Sequence, residues 1–145
     1  MSPIELDTPP SANAIHTPMT IAGKPRKVRS PEYKAWIRAA GWQVKAAHRE
    51  PLPPKAPFAI LIVANIGRQR DVDNLIKPVL DLLAGVGMTP DDKYCDAAVA
   101  VRGGDAPKGS IYVYILEAPE GKMWNAVIAL ATRARGIKPR LVKNA

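Results

Sequence analysis

Three observations predict an α+β fold, a small mixed β-sheet with helices packed on it. Residues 58–66, "FAILIVANI", form an unbroken apolar run with β-branched Ile60, Ile62 and Val63, the pattern of a strand buried on both faces. Two later runs, residues 97–102 and 110–117, are also strand-like. Separate stretches then carry apolar residues at helical spacing. A length of 145 residues suits one domain that buries a core without covalent staples. No internal repeat, low-complexity tract or domain boundary is visible, and the predicted order is β-α-β-α-β-β-α.

Residues 1–8 predict a short strand through Ile4 and Leu6. "TPPSAN", Thr8 to Asn13, is turn material. "GKPRKVRS" next sets Lys24, Arg26, Lys27 and Arg29 close together without an acid, as an exposed loop or hairpin arm suited to phosphate contacts. Ser30-Pro31-Glu32 starts a helix. Ser30 can cap, Pro31 fits the first turn, and Glu32 meets the positive end of the dipole. Tyr33, Trp36, Ile37, Ala40, Val44 and Ala47 form its core stripe, and it ends before Pro51. After the buried strand, residues 74–86 predict a helix with Leu75, Val79, Leu82, Leu83 and Val86 inward. Pro78 is tolerated there if Asp73 or Asn74 caps, because a missing N–H costs least near the first turn. Gly85 and Gly87 mark the exit. "GGDAPKG" between the last two strands reads as a hairpin loop. Residues 121–135 make a final helix with Trp124, Val127, Ile128 and Ala131 on one side. A basic tail follows, through Arg133, Arg135, Lys138, Arg140 and Lys143.

The chain has 21 Lys and Arg against 13 Asp and Glu, a net charge of +8. That balance points to a polyanionic partner, nucleic acid before anionic membrane. Cys95 is the only cysteine, so no internal disulfide forms, which suits a reducing cytosol. The N-terminus lacks the layout of a signal peptide, and no apolar run is long enough to cross a bilayer. The expectation is a soluble intracellular protein without a membrane partner.

Against this basic background stands "RQRDVDNLIKPVLDLLAGVGMTPDD", Arg68 to Asp92. In extended backbone, Asp71 and Asp73 would point to one side just beyond the buried strand. Taken alone, Asp73 is also a good helix cap, with Asp71 merely exposed. Asp91 and Asp92 alter the balance, because the intervening helix and glycines allow the chain to return an acid to the first pair. Converging carboxylates repel unless a cation sits among them. Oxygen donors of this kind suit Mg²⁺ or Mn²⁺ rather than zinc, since His16 and His48 are isolated and read as surface or packing residues. Cys95 reads as a small buried side chain rather than a nucleophile. Arg68, Arg70 and Lys77 surround the acids; Lys77 lies four residues after Asp73, as a surface pair or as a charge beside a phosphate. Acids for a metal, ringed by bases for an anionic backbone, fit metal-dependent phosphodiester cleavage.

The constellation resembles the RusA family of Holliday junction resolvases. The resemblance lies in "RDVDNLIKPVLDLL…G…DD", Arg70 to Asp92, in the opening "PPSAN", Pro9 to Asn13, and in the helix entry Ser30-Pro31-Glu32-Tyr33. Together these reach across most of residues 3–117. The resemblance implies a small homodimeric endonuclease that binds four-way DNA junctions and nicks opposed strands with Mg²⁺. By motif position, it implies Asp71, Asp73 and Asp92 as metal-binding catalytic acids and Lys77 as the catalytic lysine. Arg70 and Asn74 match positions of support or DNA contact, while Asp91 is not carried over as essential. A phage or prophage source fits the family, with a cytoplasmic, nucleoid-associated location.

Three features depart from the family pattern. Lys93-Tyr94-Cys95 replaces the usual continuation after the acid pair, Pro78 interrupts the motif helix, and the chain beyond Glu120 has no counterpart in a minimal member. The expected organisation is a RusA-like domain over residues 1–120, extended by a C-terminal helix and basic tail over 121–145. DNA contact is expected from Arg68, Arg70 and Asn74, and from Lys24, Arg26, Lys27 and Arg29. Two other readings remain open: a non-catalytic basic nucleic-acid-binding protein, and a nuclease for other branched DNA.

Overall fold

The buried run does form the central strand. In a computed structural model describing residues 2–117 and 121–135, β4 (Phe58–Ala64) is buried along its whole length. The described elements before it are β1 (Ile4–Asp7), the single turn α1 (Ala12–Ile15), β2 (His16–Ile21), β3 (Lys24–Arg29) and α2 (Pro31–Ala46). After it come α3 (Ile76–Gly85), β5 (Cys95–Arg102), β6 (Ser110–Glu117) and α4 (Met123–Arg135). Short 3-10 turns occupy Val72–Leu75 and Asp92–Tyr94. The α+β class holds.

The main sheet runs β1-β6-β4-β5, with β5 parallel to β4 and the other pairs antiparallel. Strand alternation sends β4 side chains into two cores. Phe58, Ile60 and Ile62 join Ile4, Leu6, Ile111 and Val113 beneath α2 and α3. Leu61 and Val63 meet Tyr114 and Leu130 on the α4 side.

The hairpin predicted between the last two strands does not form. β4 lies between β5 and β6, so the "GGDAPKG" segment spans a central strand instead of closing a two-stranded turn. Local turn chemistry could not report this, because strand order is set by distant partners, here β4, which is buried along its whole length with a strand on each side. The helix α3 is then the crossover that parallel β4 and β5 require.

Local signals set the helices as expected. Ser30 caps α2: its hydroxyl oxygen accepts from the Tyr33 amide at 3.1 Å, and its O–H donates to the Ala14 carbonyl. Pro78 is the third residue of α3, where the amide has no helical acceptor, so the ring is buried without breaking the helix. The exit is a Schellman closure: Gly87 takes φ +78°, its amide bonds Ala84 at 3.1 Å, and the Met88 amide bonds Leu83 at 2.9 Å. In the last helix the sequence expectation fails in part. Leu130 is buried, whereas Trp124 is 73% exposed and Ile128 39% exposed. Apolar spacing identified the helix but not which turn meets the sheet. The side chains of the basic tail from Arg133 onward lie outside the described residues.

Candidate active site

The loop leaving β4 is held by an arginine that sequence reading passed over. Because β5 runs parallel to β4, Arg102 lies in register with Ala64. Its guanidinium donates to the Ile66 carbonyl at 2.9 Å, to that of Gly67, and to that of Arg70 at 2.7 Å. A single planar fork therefore ties down the turn just ahead of Asp71. No sequence signal marked Arg102, since its use depends on the parallel pairing.

From Arg70 the chain enters the acidic motif beside the N-terminal motif. Arg70 donates to the Pro9 carbonyl at 2.7 Å, joining two stretches that lie 61 residues apart. Burial lowers the pKa of its guanidinium from the ordinary value. Arg70 thus braces the site, while Arg68 is exposed. Asp71 borders a hollow of about 230 Å³ with Ser11, Asn13, Arg70 and Asn74. Asp73 borders a second hollow of about 300 Å³ with His16, Arg29, Tyr33, Lys77 and Asp81. Asn74 borders both.

The extended Asp71-Val72-Asp73 segment expected from sequence is replaced by a 3-10 turn from Val72. Three residues per turn put positions i and i+2 on different sides. The same turn removes Asp73 from a capping role: Leu75 is the N-cap of α3, and no side chain bonds there. Burial of Leu75 in the main core accounts for the turn, because it draws the backbone down onto the sheet.

Lys77 ties α3 to the Asp91-Asp92 turn. Its ammonium lies 2.7 Å from Asp92 Oδ2 and 2.9 Å from Asp81 Oδ1. The surface pair with Asp73, one of the two readings of Lys77, is not the one made. The hydrogen bonds that Lys77 donates to Asp92 and then to Asp81 raise its pKa. In turn, Lys77 is the main cause of a lowered Asp92 pKa. Neighbouring Asp91 caps the following 3-10 turn, accepting from the Lys93 amide at 3.1 Å. Cys95 is half-buried, and burial raises its thiol pKa, consistent with a packing role.

Three residues of the larger hollow, His16, Tyr33 and Asp81, were not expected there from the sequence. His16 and Tyr33 are tilted neighbours with ring centroids 6.3 Å apart, and Tyr33 stacks on Trp36 at 5.9 Å. Burial, then the charge of Asp81, raises the Tyr33 pKa. The i, i+4 spacing of Lys77 and Asp81 was a signal that could have found the third. Arg29 lies 5.7 Å over the Tyr33 ring, which brings the base of the basic hairpin to the site. Lys24, Arg26 and Lys27 stand farther out on β3, exposed.

The donor chemistry fits a hard divalent cation: Asp71, Asp73 and Asp92 are exposed carboxylates. They are not assembled as one set. Among the described residues, no three His, Cys, Asp or Glu side chains stand together as a metal cluster. Lys77 supplies the positive charge at Asp92 instead.

No protein-family model matches the chain. A curated relative, the crossover junction endodeoxyribonuclease rusA of Enterobacteria phage HK97, is 34% identical over 65 residues. The match covers 43% of this chain and 54% of that protein, so the chain spans about half the length of the curated relative it matches. The chain is thus similar, over part of an α+β fold, to a nuclease of recombination junctions.

Proposed function

We propose that this protein is a Mg²⁺-dependent, structure-selective DNA endonuclease that resolves four-way junctions by paired nicks. The observation that carries this reading is the 2.7 Å contact between Lys77 and Asp92. It brings the Asp91-Asp92 turn back to α3, next to the helix that follows Asp71 and Asp73, and sets a basic group beside Asp92. The partial similarity to a phage crossover junction endodeoxyribonuclease supports the same reaction class.

Asp71, Asp73 and Asp92 would hold Mg²⁺, with Mn²⁺ able to substitute. When bound, the metal would supply Lewis acidity at the scissile phosphate and favour hydroxide at neutral pH. Lys77 faces charge that develops on the phosphoryl oxygens, where a positioned cation acts more strongly in the transition state than in the ground state. Asn74, between the two hollows, orients the strand by its amide. Arg70 and Arg102 keep the acidic turn in place. Arg68 and the hairpin residues Lys24, Arg26, Lys27 and Arg29 hold the flanking phosphates, which position the DNA without reading its sequence. Opposed nicks need two active sites, so the proposal includes a homodimer whose two-fold axis matches the junction.

Purified protein with Mg²⁺ should convert a synthetic four-way junction into nicked duplexes. Asp73→Asn should retain junction binding and lose cleavage by about 100-fold or more. An intact junction across a range of Mg²⁺ and Mn²⁺ concentrations sinks the enzyme reading. A panel of flaps, forks and three-way junctions separates this substrate from other branched DNA. One observation favours a non-catalytic nucleic-acid-binding protein instead: the carboxylates do not stand as a ready cluster. That reading predicts no specific Mn²⁺ site near Asp71 in a metal titration.

A further inference from the structure

We infer that Asp81 is a positioning residue for Lys77, a second carboxylate that retains the ammonium when Asp92 turns to a divalent cation. The role rests on the metal-dependent nuclease reading above. Its basis is a shared cation. Lys77 Nζ lies 2.9 Å from Asp81 Oδ1 and 2.7 Å from Asp92 Oδ2, within contact distance of both at once. Asp81 stands one helical turn beyond Lys77 on the same face of α3. Asp92 arrives from the separate 3-10 turn ahead of β5.

The two partners differ in what they can do. Asp81 lies on the same helix as Lys77, so their i, i+4 spacing does not depend on the second segment. Asp92 is an exposed group on a short turn and can rotate away. With Asp92 as sole partner, metal binding would strip Lys77 of its counter-charge, and the ammonium would compete with the metal for one carboxylate. Asp81 removes much of that conflict. It also biases the freed ammonium toward the hollow shared by Asp73, Asn74 and Lys77. The pair is exposed, with side-chain accessibilities of 66% for Lys77 and 38% for Asp81, so it adds little to stability. Its effect is local.

The test compares Mn²⁺ binding, read by electron paramagnetic resonance, in wild type, Asp81→Asn, Asp81→Glu, Lys77→Met and the double variant Lys77→Met/Asp81→Asn. Mg²⁺ dependence of junction nicking is followed in wild type and the two Asp81 variants. Asp81→Asn should weaken Mn²⁺ binding by about fivefold, the scale of one exposed charge pair, and raise the Mg²⁺ needed for half-maximal nicking similarly. Asp81→Glu should recover most of both. In the Lys77→Met background the Asp81 substitution should change nothing, because the two side chains act as a unit. A wild-type affinity in Asp81→Asn overturns the role. An equal loss with and without Lys77 also overturns it, by making Asp81 a metal ligand. If wild type neither binds Mn²⁺ nor cuts branched DNA, the nuclease reading falls and takes this role with it.

Discussion

The β2–β3 hairpin and the helix α3 both present basic side chains, yet the two regions are built in opposite ways. The hairpin pairs His16–Ile21 with Lys24–Arg29 and is exposed along nearly its whole length, with only Val28 partly covered. Its turn, Ala22-Gly23, uses φ of +52° and +74°, a sharp reversal that needs no packing to hold it. Lys24, Arg26 and Lys27 form no ion pair among the described residues. In α3, Val79, Leu82 and Leu83 are buried, and Lys77 is held by two carboxylates. The difference teaches that one basic region has charge to spare for a polyanion, whereas the other has its charge fixed at a defined point.

The largest expected effect tests the packed side of that contrast. Leu83 is fully buried in the main core, and Leu83→Ala should cost about 2–5 kcal/mol in denaturant unfolding. A loss below about 1 kcal/mol would mean that α3 is not anchored as described. Removing Lys24, Arg26 and Lys27 together should leave stability within about 0.5 kcal/mol. It should instead weaken junction binding and make the slope of log K against log salt shallower by about 0.9 for each lost phosphate contact. An unchanged slope would remove the hairpin from the DNA interface.

The smallest effect is the pH dependence of the Lys77–Asp92 pair. Lys77 lowers the Asp92 pKa below its ordinary 3.8, so the contribution of this carboxylate is present above that value and fades as pH falls through the depressed pKa. Lys77 is raised above its ordinary 10.5, so its contribution is present below that value and fades only as pH rises through the raised pKa. The pair should therefore persist from about pH 4 to pH 10. Carbon-detected NMR titration of the Asp92 carboxylate checks this, and a midpoint at or above 3.8 would contradict the contact. The pair itself should contribute little to global stability across that window, since both groups are exposed.

Much of this molecule is legible along the chain, for local reasons. Ser30 and Pro31 start α2 through short-range hydrogen bonding and dihedral preference. The run at residues 58–64 announces a strand covered on both sides, and Gly87 closes α3 with a positive φ. The basic arm at Lys24 to Arg29 is also visible as composition, and it takes the hairpin form. Misreadings arise where partners lie far apart. Residues 95–102 and 110–117 resemble a hairpin, but burial of β4 draws one to each side of it. Trp124 fits an apolar stripe, yet among the described side chains of α4 the buried one is Leu130.

The candidate site divides in the same way. Sequence alone determined the types of residue available: oxygen donors in Asp71, Asp73 and Asp92, an adjacent lysine, and a surplus of positive charge. Residue type, charge and short-range spacing are properties of the chain. Tertiary structure alone decided the partners. It put Arg102 on the loop before Asp71, joined Arg70 to Pro9, and brought Asp92 to Lys77, whose pairing with Asp81 is local to the helix. It also turned Asp71 and Asp73 toward different hollows, because burying Leu75 bends the backbone between strand and helix. Such contacts depend on strand order and on which apolar groups leave water first, and neither is encoded within a few residues of the site.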